Sequence, residues 1–334
     1  MTNTSNAQRT TTMHAILRSN YGSADVLRYR EIEEPTLTAD EVMIRVRAAS
    51  VGAWDWHDMA GEPLVMRLHT GLRRPKIEVL GRDMAGEVAA VGSAVTKFRP
   101  GDVVYGECRA TFAEYTVASQ SGIARAPTGL SFAELAAVPI AGVTALQGLR
   151  DEAELRRGER VLIVGAEGGV GTFAVQIAAS MGGEVTAVCS PESARAVRAL
   201  GAQHIIDYTI DDFTEQGPEY DVIFQIAGSA SVVACRRALT PNGRLILCSS
   251  DGGQRLLGPM ARIAGALIMG PFIGQKVKAY VAKAQTSSLD ALTELIDTGA
   301  VAPVIDQVYP LSEAAAALRR FGYGHGPGKI VLTI

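Results

Sequence analysis

Two patterns of hydrophobic and polar residues divide the chain near residue 139. In the first part, Val42, Ile44 and Val46 occupy alternate positions, which predicts a half-buried strand. Further short strands are predicted at residues 87–91, 103–105 and 113–117, with turns at Gly92-Ser93 and Pro100-Gly101-Asp102 between them. This pattern predicts a compact, antiparallel, barrel-like domain.

After residue 139, apolar runs that predict buried strands alternate with helical segments. The predicted strands are residues 161–164, 185–189, 205–207, 222–225 and 245–248. The predicted helices are residues 141–149, 172–179, 194–200 and 229–239. Ser190 is expected to cap the third helix, with Pro191 in its first turn, and Pro241-Asn242-Gly243 predicts a turn before the last strand. The alternation predicts an α/β fold with a doubly wound parallel sheet.

The end of the chain has a pattern of its own. After a break near Ala302-Pro303, a helix is predicted at residues 312–321 and a strand at 329–334, which we expect to return to the N-terminal domain. We therefore predict a polar, disordered tail at residues 1–12 and a first domain at 13–138 that is completed by 302–334. The strand–helix domain would span residues 139–301.

A glycine-dense turn joins the first predicted strand of the second domain to its helix. Its register is Ala166-x-Gly168-x-x-Gly171, with alanine in place of the usual first glycine. Such a turn lets a backbone approach a pyrophosphate at Gly168 and lets the helix close onto the strand at Gly171. Its position between strand and helix predicts a dinucleotide site. The residues expected to line it are Ala166, Gly168, Gly169, Val170 and Gly171.

Composition and charge exclude several other classes of protein. The net charge is −3 and the basic residues are scattered, so we expect no nucleic-acid partner. The four cysteines lie far apart, which argues against disulfides and against a four-cysteine zinc site. Charged and proline residues interrupt the longest apolar stretch, residues 256–273, so no membrane span is expected. No signal-peptide pattern is found, and we expect a cytoplasmic protein.

Several segments together resemble one enzyme family. They are Gly-Arg-Asp-Met-Ala-Gly-Glu-Val at residues 81–88, Val-Pro-Ile-Ala-Gly-Val-Thr-Ala at 138–145, the glycine turn, and the segments 200–208 and 239–243. Over residues 13–334 the chain resembles the zinc-independent, quinone-oxidoreductase-like branch of the medium-chain dehydrogenase/reductase superfamily. The resemblance implies a GroES-like N-terminal domain, a Rossmann domain, and a substrate cleft between them.

The resemblance also allows zinc binding to be judged from residues. Zinc-dependent members carry a cysteine in a Cys-Gly-x-Asp segment and a histidine in Gly-His-Glu, whereas the matching segments here are Gly52-Ala53-Trp54-Asp55 and Gly81-Arg82-Asp83. Neither the glycine nor the arginine that replaces those two ligands can bind zinc through its side chain. His57 and His69 lie nearby in the sequence but are isolated. We therefore expect that the protein binds no zinc. We also expect that hydride is transferred to an acceptor that is already electron-poor.

The expected substrate cleft has few assignable residues. Family members of this branch commonly carry an Asn-Pro-x-Asp segment, of which Gly52-Ala53-Trp54-Asp55 keeps only the aspartate. Trp54, at the cleft edge like Trp56, forms an aromatic wall for a flat substrate or packs under a loop. Asp55 is expected to hold the loop through hydrogen bonds rather than to transfer a proton. His57 is a candidate to protonate an enolate, and the catalytic residues are otherwise unassigned.

The predicted preference for NADPH over NADH depends on the end of the second Rossmann strand. No carboxylate follows Ala187-Val188-Cys189, so a 2′-phosphate would not be repelled there. The candidate phosphate contacts are Ser190, Ser193, Arg195 and Tyr208. Ser190 could serve only as a helix cap and Arg195 as an exposed charge, while Glu192 would disfavour a phosphate if it turned inward. Relatives often carry a lysine where this chain has Ser193.

Other segments are expected to line the cofactor. Thr144 lies in the helix that, by resemblance, caps the nicotinamide end, although its hydroxyl could instead bond its own backbone. Ala227, Gly228 and Ser249 follow the carboxyl ends of two parallel strands, where ligands bind in such sheets. Lys329 resembles a family lysine near the cofactor phosphates, or is a surface lysine.

The function predicted from the sequence is a metal-free, NADPH-dependent reductase. Its substrate would be a quinone, an α,β-unsaturated carbonyl compound or a similar small apolar acceptor. The alternatives are a zinc-free alcohol or ketone oxidoreductase and a non-enzymatic NADPH-binding sensor or structural protein. A homodimer is expected, formed through edge strands of the Rossmann sheets, and residues 263–269 would add to that interface or cover the cleft.

Overall fold

The computed structural model describes residues 11–215, 217–248, 274–324 and 326–334. Ser249 and residues 263–269, for which roles are predicted above, lie outside the described residues. The strands are β1 (Thr12–Leu17), β2 (Arg28–Glu33), β3 (Glu41–Val51), β4 (Asp83–Val91), β5 (Val103–Glu107), β6 (Tyr115–Ser119), β7 (Ile123–Arg125), β8 (Arg160–Val164), β9 (Glu184–Cys189), β10 (His204–Asp207), β11 (Tyr220–Gln225), β12 (Leu239–Leu247), β13 (Lys276–Ala279), β14 (Ile305–Pro310) and β15 (Lys329–Thr333).

The helices lie mostly between the strands of the second half. They are α1 (Ala53–Ala60), α2 (Arg67–Thr70), α3 (Phe132–Ala137), α4 (Pro139–Leu146), α5 (Gly169–Ser180), α6 (Ala194–Ala199), α7 (Val232–Ala238), α8 (Thr286–Asp297) and α9 (Ala314–Tyr323).

The first sheet is built from both ends of the chain. Its strand order is β14-β15-β3-β4-β5-β7, with β6 also paired to β3, and β1 and β2 form a separate hairpin. Along β3, Val42, Ile44 and Val46 are buried, as their alternation predicts. The last strand, β15, runs antiparallel to β3, with Ile330 opposite Val51. The C-terminal strand therefore belongs to this sheet, while the predicted domain limits themselves stay a prediction.

The second sheet is parallel throughout, in the order β10-β9-β8-β11-β12-β13. Its central strand β8 is buried from Val161 to Val164, which explains the uninterrupted apolar run there. The chain winds outward in one direction from β8 to β10 and in the other from β11 to β13. A crevice forms at such a reversal, outside the carboxyl ends of the strands. The predicted α/β, doubly wound class is confirmed.

The two sheets share one hydrophobic core. Buried residues of the first sheet, such as Ala48 and Tyr105, pack in the same cluster as Phe173 of α5 and Phe224 of β11. The Tyr105 hydroxyl also donates to the carbonyl of Leu289 at 2.7 Å. These contacts fix the first sheet against the Rossmann unit. Within the part of the chain that is described, no helix is long and apolar enough to cross a membrane.

Some local predictions are wrong. Ser190 does not cap a helix, because α6 begins at Ala194 and the residues before it form a turn. The predicted turn at residues 241–243 lies within β12, where the register against β11 shifts between Tyr220 and Val222. The strand predicted at residues 113–117 lies two residues later, at β6.

Candidate functional site

The glycine turn lies where the sequence predicts, between β8 and α5, at the reversal point of the parallel sheet. At Gly168 an added Cβ would meet only the carbonyl oxygen of Gly165, at 3.8 Å. At Gly171 it would overlap that oxygen and come within 2.6 Å of the Ala166 carbonyl carbon. Gly168 thus leaves open space at the start of α5, and Gly171 lets the helix pack against the turn. Since the first N–H groups of a helix lack partners within it, this end suits a pyrophosphate.

A carboxylate that no local sequence pattern places there lies at the end of β9. The Ser190 hydroxyl donates to Glu167 Oε2 at 2.6 Å, and the Ser190 backbone N–H donates to the same oxygen at 3.2 Å. Ser193 Oγ lies 3.1 Å from Ser190 Oγ. Arg195 is exposed on α6. The premise of the predicted NADPH preference is therefore wrong: an acidic group does stand at this strand end, supplied by the glycine turn. The one signal in the sequence was a charged residue inside that turn.

The remaining predicted cofactor residues surround the same crevice. Ala227, after β11, packs on the turn so closely that a Cβ on Gly165 would come within 2.6 Å of the Ala227 Cβ. Gly228 follows it with a φ of +86°, a conformation that favours glycine. Thr144 is buried on α4, and its carbonyl accepts a hydrogen bond from the Tyr280 hydroxyl. Ala166 is buried and Val170 partly exposed in the first turn of α5.

Lys329 joins the glycine turn to a buried group of charges. Its side chain is 7% exposed, and a Cβ on Gly169 would come within 2.6 Å of its Cδ. Its ammonium lies 3.3 Å from Asp83 Oδ2. Asp83 is further satisfied by the Ser50 hydroxyl, at 3.0 Å, and by the N–H of Ile140 at the start of α4, also at 3.0 Å. Lys329 is therefore an internal charge partner and not a surface lysine.

Asp55 lies in the same group at the first turn of α1. Its Oδ2 accepts a hydrogen bond from the Gly52 N–H at 2.9 Å, so it does hold the loop before α1. Burial, followed by the nearby Asp83 carboxylate, raises the pKa of Asp55 to about 7, although Gly52, Lys329 and Arg82 act against that shift. Asp55 therefore retains a proton over much of the range below neutral pH. His57 lies two residues further along α1, hence on a different face of the helix.

Arg82 and Trp54 form the outer part of this group. The Arg82 guanidinium lies 4.8 Å from the centre of the Trp54 ring and donates to Glu107 Oε1 at 2.7 Å. Trp54 is 37% exposed, so it is not a buried packing residue, and its part as an aromatic wall stays a prediction. Trp56 instead packs against α9, with its ring centre 6.5 Å from that of Phe321. By resemblance, this guanidinium takes the position of the histidine in the Gly-His-Glu segment of zinc-dependent family members.

The residues present fit a nicotinamide dinucleotide. The open space at Gly168, the start of α5 and the crevice beside Ala227 provide the cradle that a pyrophosphate needs. Among the described residues, no group of three or more His, Cys, Asp or Glu side chains is arranged to hold a metal ion.

Replacing Asp55 should change how stability depends on pH. An unfolded aspartate titrates near pH 4. Between about pH 4 and 7 the folded chain therefore holds a proton on Asp55 that the unfolded chain has lost. As the pH rises through this range, Asp55 lowers the free energy of unfolding. Asp55→Asn cannot titrate. Relative to the wild type, it should therefore gain roughly 3 kcal/mol in free energy of unfolding between pH 5 and pH 8.

Urea unfolding at a series of pH values measures this gain. Asp40→Asn, at an exposed position, is the control and should run parallel to the wild type. Parallel curves for Asp55→Asn as well would show that the Asp55 carboxyl titrates at an ordinary pKa.

Comparisons with known proteins agree with this geometry. Residues 38–148 match the family model described as "Alcohol dehydrogenase GroES-like domain", and residues 200–332 match "Zinc-binding dehydrogenase". The mouse "NAD(P)H oxidoreductase RTN4IP1, mitochondrial" is 31% identical over 98% of this chain and 90% of its own length. The spinach "Quinone-oxidoreductase homolog, chloroplastic" is 32% identical over 96% of this chain and 98% of its own length.

Solved structures extend the likeness to the whole fold. The quinone oxidoreductase from Coxiella burnetii superposes with a TM-score of 0.85 at 27% identity, covering 97% of this chain and all of its own. The CurK enoyl reductase superposes with a TM-score of 0.81 at 26% identity, covering 96% of this chain and 99% of its own. The first sheet is accordingly the GroES-like part, as the resemblance implies. The chain belongs to the quinone-oxidoreductase-like branch of the medium-chain dehydrogenase/reductase superfamily, a family of oxidoreductases.

Proposed function

We propose that the chain uses a reduced nicotinamide cofactor to reduce a quinone, an α,β-unsaturated carbonyl compound or a similar small apolar acceptor. The observation that carries this proposal is the contact between the Arg82 guanidinium and the Trp54 ring. Both residues belong to the same group of side chains as Lys329, which packs on the glycine turn. The names of several relatives point the same way, among them a 2-methylene-furan-3-one reductase from tomato.

When bound, the nicotinamide supplies a hydride, and the protein's residues orient the acceptor. The flat face of Trp54 offers a surface on which a conjugated ring can stack. Arg82 has five N–H donors, of which one is used by Glu107. A remaining donor can bind the acceptor's carbonyl oxygen and stabilise the negative charge that develops there during reduction. Arg82 would thus stabilise the developing negative charge, as a metal ion does in metal-dependent enzymes.

The buried group behind Arg82 keeps this arrangement in place. Asp55 fixes the Gly52 N–H and thereby the start of α1, which carries Trp54. Asp83 ties β4 to α4 through Ile140, so Arg82, the residue before it, is held at a defined position. The final proton is supplied by water or by a side chain at the cleft. These residues act by positioning and charge, which are the main sources of rate in such a transfer.

The test is an assay of NADH and NADPH oxidation with a panel of quinones, enones, ketones and aldehydes. Arg82→Met should lower kcat/KM for quinones and enones by about 100-fold, the usual effect of losing one donor to a developing oxyanion. Its cofactor affinity should stay unchanged. Arg99→Met, a largely exposed arginine, is the control and should keep full activity.

Other outcomes would replace the proposal. Turnover of simple ketones and alcohols alone would indicate a zinc-free alcohol oxidoreductase. Cofactor binding without any turnover would indicate a sensor or structural protein. Full activity of Arg82→Met on quinones would remove the role given to the guanidinium.

Three expectations from the sequence stay proposals of this kind. The absence of zinc depends on Gly52-Ala53-Trp54-Asp55 and Gly81-Arg82-Asp83, which lack the cysteine and the histidine of the zinc-dependent segments. The homodimer would form through an edge of the Rossmann sheet, for which β13 is an available edge strand among the described residues. The cytoplasmic location is a prediction too, since several relatives are named as mitochondrial or chloroplastic proteins.

A further inference from the structure

We infer that Glu167 selects the cofactor, binding the adenosine ribose of NADH through its 2′-hydroxyl and excluding the 2′-phosphate of NADPH. This inference rests on the proposed use of a nicotinamide cofactor and reverses the preference predicted from the sequence. In NAD-specific Rossmann sites, an Asp or Glu that follows the second strand performs this selection. Here the second strand, β9, ends at Cys189, and Ser190 follows it. The carboxylate reaches the same place from the glycine turn.

The position of Glu167 is fixed from two directions. Its Oε2 accepts both the hydroxyl and the backbone N–H of Ser190, at 2.6 and 3.2 Å. Its own carbonyl accepts the N–H of Gly328 at 2.9 Å, just before β15. The carboxylate is partly exposed, and its Oε1 has no hydrogen-bond partner among the described residues. That oxygen is available to accept a ribose hydroxyl.

The surroundings of Glu167 are acidic. Tyr208 follows β10 beside it, and burial together with the Glu167 and Glu192 carboxylates raises the pKa of the Tyr208 hydroxyl. Burial and then Glu167 and Asp207 raise the pKa of Cys189 to about 11, with Arg198 acting weakly in the opposite direction. A 2′-phosphate beside Glu167 would be repelled by these negative charges. Ser193 is buried and uncharged, so it offers such a phosphate no countercharge.

Ser190 therefore has a different part from the one predicted. Its hydroxyl and N–H are already used to orient Glu167, so they are not free to bind a phosphate. Arg195 is exposed on α6 and takes no part in these contacts. Ser190 and Arg195, two of the four residues expected to bind the 2′-phosphate, are therefore not arranged to do so, and the Glu167 carboxylate determines the cofactor preference.

The test is titration of the purified protein with NADH and with NADPH, followed by cofactor fluorescence. The wild type should bind NADH at least tenfold more tightly than NADPH. Glu167→Gln keeps the size of the side chain and an accepting oxygen but removes the charge. It should reduce the ratio of NADH affinity to NADPH affinity tenfold or more, mainly by improving NADPH binding. Added salt should also narrow the wild-type ratio, because it screens the repulsion.

Two matched variants separate Glu167 from its neighbours. Glu192→Gln removes a nearby exposed carboxylate and should change the ratio by no more than about threefold. Arg195→Ala should leave both affinities unchanged, whereas an arginine that binds the phosphate would lose NADPH affinity selectively.

Each remaining outcome overturns the inference in a recognisable way. A wild type that prefers NADPH, or a ratio unaffected by Glu167→Gln, contradicts it while leaving the proposed reductase intact. If neither cofactor binds, the proposed function fails together with it.

Discussion

Gly171→Ala is expected to destabilise the apoprotein by about 3 kcal/mol, at the upper end of the cost of inserting one methyl group into a packed interior. The new Cβ would overlap the carbonyl oxygen of Gly165 and come within 2.6 Å of the carbonyl carbon of Ala166. Both atoms belong to the backbone of the turn, so the strain cannot be relieved by a side-chain rotation. Only a shift of α5 away from β8 would make room. The higher helix propensity of alanine offsets less than 1 kcal/mol of this cost.

Gly168→Ala is the matched variant, three residues earlier in the same turn. Its φ of −69° suits any residue, and its Cβ would meet only one atom, at 3.8 Å. The free energy of unfolding should therefore change by less than about 0.5 kcal/mol. NADH affinity should nevertheless fall at least tenfold, because the methyl group occupies the surface that a pyrophosphate approaches.

Urea unfolding of the apoproteins and NADH titration together distinguish the two glycines. Equal stability of both variants would show that α5 can move at little cost. Unchanged NADH affinity in Gly168→Ala would place the pyrophosphate elsewhere.

The fold was predictable because the spacing of apolar residues indicates which faces of the strands and helices are buried. The uninterrupted run at residues 161–164 is the central strand of a parallel sheet, and the alternation at Val42, Ile44 and Val46 is one buried face of β3. The failures are local. Ser190 has the sequence of a helix cap, but its hydroxyl donates to Glu167, a partner 23 residues away that no local pattern indicates.

The site was predictable only where its chemistry resides in the backbone. The glycine turn can be recognised in the sequence, because both the tight packing of α5 on the turn and the open space for a ligand require residues without side chains. The charged group around Asp83 does not, since Lys329 is 246 residues away in the sequence and meets it only after β15 pairs with β3. Glu167 was visible as the charged residue of the turn, but its direction toward β9 depends on the fold.

Lys329→Met is expected to lower the free energy of unfolding by about 3–5 kcal/mol, the usual cost of removing one member of a buried ion pair. The lysine side chain is 7% exposed and that of Asp83 is 3% exposed, so water cannot replace the lost ammonium. Asp83 would keep its hydrogen bonds from Ser50 and Ile140 but lose its countercharge. Because Lys329 also opposes the rise in the pKa of Asp55, that pKa should rise further.

A control and a rescue test whether this cost comes from charge. Lys278→Met removes an ammonium 3.4 Å from Glu152 Oε2, but this pair is about one-third exposed and its loss should cost no more than about 1 kcal/mol. Adding Asp83→Asn to Lys329→Met removes the uncompensated carboxylate while the amide oxygen still accepts the Ile140 N–H. The double variant should therefore be more stable than Lys329→Met alone in urea unfolding. If the second substitution only adds to the loss, the lysine stabilises the protein through its packing on Gly169, and the buried charges contribute little.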